Sequence, residues 1–300
     1  MRDLAWSLWT ELGVSGTLRR HDQVLMDPEA LILFTAALGD RDPRLRDESL
    51  DWCVRYGGAI SVTRLKNLLG SGLGNQQALD GYASMVNQHT SLSWPVSKRF
   101  RAAKTSPGRL SGKSQEPDLR RRAALLRLRL RALFGVGARA DVIAELLCGS
   151  SSSASELAAI GYSKRGIASI LDDLYRADLL SRTQVGNTHR FELKRPRDLE
   201  PLVGASPVYY AHWADCLGVL LVLDEMFREV AAKSERLKIL AANRVFVDIV
   251  DSLERLRWGV PVAADVSAYW QAIETWAVER ATRAAQGTPD PGRFCAQIVV

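Results

Sequence analysis

The 300-residue chain predicts a mainly α fold with one small β element near its middle. Three observations carry that prediction. From Met1 to Trp94 apolar residues recur at helical spacing between recognisable caps. After about Leu199 long helix-like apolar stretches return, and the clearest strand pair is a short hairpin around Gly186-Asn187. The expected organisation is a helical N-terminal domain over 1–94, a flexible basic linker over 95–118, a central module over 119–198 and a helical C-terminal domain over 199–300. A chain of this length is sufficient for two or three parts, each with its own core.

The N-terminal helices follow from their caps. Asp27-Pro28-Glu29 supplies an N-cap, a first-turn proline and an early carboxylate ahead of the apolar run ALILFTAAL, which stops at Gly39. Asp42-Pro43 opens the next helix, carrying Leu45, Leu50, Trp52, Cys53 and Tyr56 up to Gly57-Gly58. Ser61 begins a third, with Val62, Leu65, Leu68 and Leu69 along one side.

The segment 95–118 combines Pro, Gly, Ser, Lys and Arg with almost no aliphatic content, too little to offset the entropy of ordering itself. A mobile linker is the expectation. The run RRRAALLRLRLRALF, Arg120 to Phe134, alternates like a strand in its centre, but Ala, Leu and Arg without β-branched residues favour helix. Between Pro95 and Arg139 thirteen basic residues face two acidic ones, a local +11 within a chain of net +6. Concentrated cationic charge suits a polyanion, because neutralising phosphates releases counterions; a solvated linker charged for solubility is the alternative.

The stretch ELAAIGYSKRGIASILDDLYRADLL, Glu156 to Leu180, holds the densest information. With Ser163 as cap, Ile167, Ile170, Leu171 and Leu174 fall on one stripe, while Arg165, Ser169, Asp172 and Arg176 take the far side and Lys164 the flank. Ahead of it Ser153 or Ser155 can cap a short helix burying Leu157 and Ile160, and Gly161-Tyr162 makes the turn. Upstream, DVIAELL supplies a helix for both to pack on. Downstream, Leu179 to Thr183 and His189 to Leu193 are strand-like.

On these residues the run from about Ala138 to Leu193, with its ELA…GYSK…I…ILDDLYRA.LL pattern and closing hairpin, resembles the winged helix-turn-helix domain of bacterial transcription regulators. It covers about a fifth of the chain, and Asp178 stands where such domains often carry a glycine able to adopt left-handed backbone. The resemblance implies a DNA-binding site of Ser163, Lys164, Arg165, Ser169 and Arg176 on the recognition helix, with Arg182, Gln184, Asn187, His189 and Arg190 on the wing. Double-stranded DNA is then the partner and a homodimer the expected state, since one winged helix buries little surface on DNA. The whole layout also looks like a group of bacterial proteins associated with regulators encoded near nucleotidyltransferases, which implies a repressor or antitoxin-like role. Against this stands a non-enzymatic interaction module whose winged helix packs on protein.

Beyond Leu199 the stretches 208–231, 236–257 and 264–285 read as helices, with Trp213, Trp258, Trp270 and Trp276 marking a core or an interface. Tyr209, Tyr210 and Trp213 can line a ligand pocket, although an aromatic stripe is more often core. The closing GTPDPGRFCAQIVV is expected to be a loosely held tail.

Other chemistries find little support. Cys53, Cys148, Cys216 and Cys295 form no CxxC pair, and His21, His89, His189 and His212 show no metal spacing, so reduced thiols in a cytoplasmic, metal-free and cofactor-free protein are expected. LLGSGLGNQQ lacks both GxGxxG and a Walker lysine, and Ser150 to Ser153 reads as a loop. Nothing resembles a signal peptide or a membrane span, and no enzyme is expected.

Overall fold

Helices begin where the sequence supplies caps. The computed structural model describes residues 1–16, 18–101, 110–149, 151–204, 209–262, 266–287 and 293–294. Helix α1 (Arg2–Glu11) precedes α2 (Pro28–Leu38), α3 (Pro43–Tyr56), α4 (Val62–Gly70) and α5 (Gln76–His89). The Asp27, Asp42, Ser61 and Asn75 side chains each accept a first-turn backbone N–H of α2, α3, α4 and α5. The one-turn α6 (Lys98–Arg101) follows.

A second group comprises α7 (Leu126–Phe134), α8 (Ala138–Cys148), strand β1 (Ser152–Ser153), α9 (Ala154–Ala158), α10 (Lys164–Arg176), β2 (Leu180–Val185) and β3 (Thr188–Leu193). The strands form an antiparallel sheet in the order β1-β3-β2, with Arg182 opposite Phe191 and Val185 opposite Thr188. Gly186 takes φ 59° at the hairpin turn, backbone that glycine adopts without steric cost. The chain then forms α11 (Glu200–Val203), β4 (Tyr209–Tyr210), α12 (Trp213–Val230), α13 (Glu235–Asp248), α14 (Val250–Leu256), α15 (Val266–Ala285) and β5 (Arg293–Phe294). Strands β4 and β5 pair antiparallel, so two residues of the expected tail are held, while Cys295 and most of that tail lie outside the described residues. Among the described residues no helix is long and apolar enough to cross a membrane.

Two apolar cores organise these elements, and they do not follow the expected boundaries at 94 and 199. One core holds Trp9, Phe34 and Trp52 together with Trp213, Leu217, Trp258 and Trp276, so N- and C-terminal helices form a single body. The reason lies in α2. All its residues except Ala37 are buried, and a helix apolar on every side needs partners on every side. It packs against α12, α5, α4, α1 and α3. The second core, with Leu130, Ile143, Leu157, Ile167, Leu171, Leu180 and Phe191, is built mainly from the 126–193 module and also takes in Leu25, Leu199, Val203 and Tyr210.

The expected linker is in part anchored. Gly112 and Ser114 donate backbone N–H groups to the Asp51 carboxylate at 2.8 and 3.0 Å, and Gln115 donates to the Gly13 carbonyl at 2.9 Å. Ser97 caps α6 and bonds Asp80. The stretch 102–109 lies outside the described residues. Its two flanks are ordered by carboxylates of α3 and α5, partners that composition does not reveal.

Candidate nucleic-acid interface

Helix α10 is positioned by its own sequence. The Ser163 hydroxyl accepts from Gly166 N–H, starting the helix, while Ile167, Leu171 and Leu174 are buried against the module core. That fixes the opposite face outward. Ser163, Lys164, Arg165, Ser169 and Arg176 are all exposed. Lys164 and Arg165 make no side-chain hydrogen bond or ion pair among the described residues. Asp173, by contrast, is engaged by Arg139 at 3.1 Å and by Arg176 at 3.8 Å.

The segment leading into α10 is built with equal care. Ser153, not Ser155, caps α9: its hydroxyl accepts from Glu156 N–H while the Glu156 carboxylate accepts from Ser153 N–H, a reciprocal box. Gly161 makes the turn at φ 104°, and a Cβ there would meet Arg64 Cγ at 3.1 Å and Leu68 Cδ2 at 3.3 Å. At the other end Asp178 adopts φ 61°, the left-handed backbone that a glycine often provides, and the Lys194 ammonium pairs with its carboxylate. That pairing holds the exposed Asp178 carboxyl below its ordinary value.

On the hairpin, Arg182, Gln184, Asn187 and His189 are exposed. The Arg182 guanidinium stacks over the Tyr175 ring with 4.5 Å to the centroid, so the outer edge of β2 continues from the last turn of α10. Gln184 donates to the Gly186 carbonyl at 3.1 Å, staying within the turn. Arg190 departs from its expected role. Its guanidinium donates to Ser151 O at 2.8 Å, Ser151 Oγ at 3.0 Å and Glu156 Oε1 at 3.1 Å, fastening β3 to the start of α9. The reason is β1: Ser152 and Ser153 form a third strand beside β3, where a loop was expected, and this brings Ser151 and Glu156 to the Arg190 side chain.

The expectation of a freely available basic block also requires correction. Of its arginines, Arg127 and Arg131 on α7 are buried, with 2–3% or less of their side chains exposed. Arg131 bonds Glu29 at 2.6 and 3.1 Å, Asp141 at 2.7 and 2.9 Å and the Ala59 carbonyl at 2.9 Å. Arg127 pairs with Glu145 at 3.1 Å, Arg129 donates to the Leu119 carbonyl and Arg122 reaches Glu11 at 2.8 Å. Arg64 of α4 completes the cluster, bonding Asp27 at 2.5 Å, Glu29 at 2.7 Å and the Ile160 carbonyl at 2.5 Å.

This network seats the module on the body. Burial alone would raise the Asp27 carboxyl, yet the charge and hydrogen bonds of Arg64 outweigh it and hold the group well below its ordinary range. Burial and the Asp141 carboxylate push the Tyr162 phenol up, and its hydroxyl donates to Asp141 at 2.8 Å with Ser61 Oγ at 3.0 Å. One part of the network was readable from sequence. At about 100° per residue Arg127 and Arg131 lie between the row of Leu126 and Leu130 and that of Leu128, so burying both leucine rows carries the arginines inward. Their carboxylate partners, up to 102 positions away, were not.

A residue group missed by sequence reading sits beside the turn. Asn67 Nδ2 donates to the Gly161 carbonyl at 2.9 Å, which brings the exposed row of α4, Thr63, Lys66 and Asn67, next to the entry of α10. Compared with known proteins, the chain matches no family model, no curated protein and no solved structure.

Proposed function

We propose that residues 138–193 act as a winged helix that binds double-stranded DNA, and that the chain is a transcriptional regulator working as a repressor. One observation carries the reading: the α10 face of Ser163, Lys164, Arg165 and Ser169 is open to solvent while its reverse is packed into a core. Such a face, with two unpaired cations and two hydroxyls at the N-terminal half of a helix, has the groups that read base edges and grip phosphates in a major groove. Further support comes from the order helix, short strand, two helices and hairpin, with sheet order β1-β3-β2, and from Arg182 held against Tyr175 where a wing would flank the groove. Lys66 joins the site as a backbone contact from α4.

The regulator is proposed to work as a homodimer. Leu237, Leu240 and Val247 recur along one face of α13 and are 49%, 48% and 73% exposed, apolar groups that pairing would cover, with the exposed Arg244 beside them on the same face. Sedimentation of the wild type and of Leu240→Glu checks this, with a monomeric wild type as the contrary result.

Fluorescence anisotropy with duplex fragments from around its own promoter, at two salt concentrations, tests the DNA reading. Removing each phosphate contact lowers the salt slope by about 0.9. Lys164→Ala with Arg165→Ala is expected to weaken binding and flatten that slope; an unchanged slope and affinity would refute the assignment. A second reading, a protein-interaction module, is favoured by one fact: the α9–α10 turn is already engaged by protein, through Arg64, Asn67 and Ser61. Absence of duplex binding even at low salt selects it.

A further inference from the structure

A cavity of about 530 Å³ lies on the seam between the two cores. Leu157, Ile160 and Tyr210 of the second core line it together with Trp213 and Trp258 of the first; all five are buried. The volume falls in the range of small-molecule sites, and these apolar and aromatic side chains share the buried lining with the polar His21, Asp27, Arg64 and Ser152.

The ionic groups around it are almost all satisfied. Asp27 holds Arg64, Glu145 holds Arg127, Glu156 holds Arg190, and Asp215 accepts from Arg255 at 2.6 and 2.9 Å. Two exceptions remain. The Glu254 carboxylate and the Arg257 guanidinium, both exposed at the end of α14, make no hydrogen bond or ion pair among the described residues, although both line the cavity. Arg257 also occupies left-handed backbone, φ 56° and ψ 33°, at the position after a helix where glycine is the favoured residue. That turn returns Trp258 to the core, its backbone N–H donating to the Leu253 carbonyl at 2.9 Å. Holding an arginine there costs backbone strain that no contact of its side chain within the described chain offsets.

We infer that this cavity is a binding site for a small zwitterion with a flat apolar group, the chemistry of an aromatic amino acid. The apolar group lies against Trp213, Trp258 and Tyr210; the ligand's carboxylate meets Arg257 and its ammonium meets Glu254. Because the walls come from both cores, an occupant bridges module and body. The site stands independently of whether α10 meets DNA.

Isothermal titration calorimetry and thermal melts on the full chain test it, with L-tryptophan and L-phenylalanine as ligands and L-leucine, tryptamine and indole-3-propionate as comparisons. Both aromatic amino acids are expected to bind and to raise Tm through selective binding to the folded state. The three comparisons, each lacking one recognised group, bind at least about tenfold more weakly. Arg257→Gly removes the guanidinium while suiting the left-handed turn, so it keeps or raises the ligand-free Tm and loses about tenfold or more in affinity, as does Glu254→Gln. Three results would each overturn the inference: no heat and no Tm rise with either aromatic amino acid up to about 10 mM, equal affinity for any comparison compound, or undiminished binding by Arg257→Gly.

Discussion

Replacing Arg131 by methionine probes the joint between module and body. The side chain is 1% exposed and makes four charged hydrogen bonds, two to Glu29 and two to Asp141, and one to the Ala59 carbonyl. Methionine fills much of the same space, so packing loss is small and the charge effect dominates. After the substitution Glu29 keeps Arg64 at 2.7 Å and Ser61 N–H at 2.7 Å, whereas Asp141 keeps Tyr162 at 2.8 Å but cations only at 3.5 Å, Arg127, and 4.0 Å, Arg64. Two carboxylates then share too little positive charge in a dry site. Removing one partner of a buried pair costs about 3–5 kcal/mol, equivalent to a fall in Tm of roughly 10 °C in a chain of this size. The deficit also has a pH signature. Burial raises the Asp141 carboxyl, but Arg131 first, and then Arg127 and Arg64, hold it below its ordinary value. Such a depressed group stabilises the fold above its unfolded pKa and ceases to as pH falls through the folded one. Without Arg131 the folded value rises, so the deficit is largest near neutral pH and shrinks as pH falls toward about 4. Urea unfolding of both proteins at pH 7 and near pH 4.5 measures it. A loss under about 1 kcal/mol at pH 7, or one that grows on acidification, would refute the account of the network.

Further outcomes follow from single sites. Gly161→Ala places a Cβ against Arg64 and Leu68 at φ 104° and is expected to cost about 1–3 kcal/mol in urea unfolding. Asp178→Gly is expected to leave Tm equal or higher and Asp178→Val to lower it, because φ 61° excludes a β-branched residue. His21 is buried, with Nδ1 2.7 Å from Ser7 Oγ and Nε2 donating to the Ala284 carbonyl at 2.8 Å; burial lowers its pKa. Its stabilisation is therefore present above the unfolded value of about 6.5 and lost as pH falls below it, so Tm of the wild type drops across that window more steeply than Tm of His21→Gln. Lys66→Ala, with a cation beside the α10 entry removed, reduces the anisotropy salt slope by about 0.9 and leaves Tm unchanged.

The sequence by itself determined those features whose cause is short-range. The caps Asp27, Asp42, Ser61 and Ser163 hydrogen-bond N–H groups three residues on, so a single short window specifies each helix start. The stripe of Ile167, Leu171 and Leu174 likewise fixes which side of α10 turns outward, and the exposed Ser163, Lys164, Arg165 and Ser169 follow from that alone. The hairpin at Gly186 was equally local.

Only the tertiary structure decided what those elements meet. That α2 joins helices from both ends of the chain in one core, which carboxylates Arg127 and Arg131 meet once turned inward, and that Arg190 serves α9 all depend on groups brought together across the fold. A single chain carries no local mark for such pairings: an arginine has the same hydrogen-bonding groups whether it meets phosphate, water or Glu29. Which of these it meets is set by packing the apolar faces around it, and that packing is a property of the whole molecule.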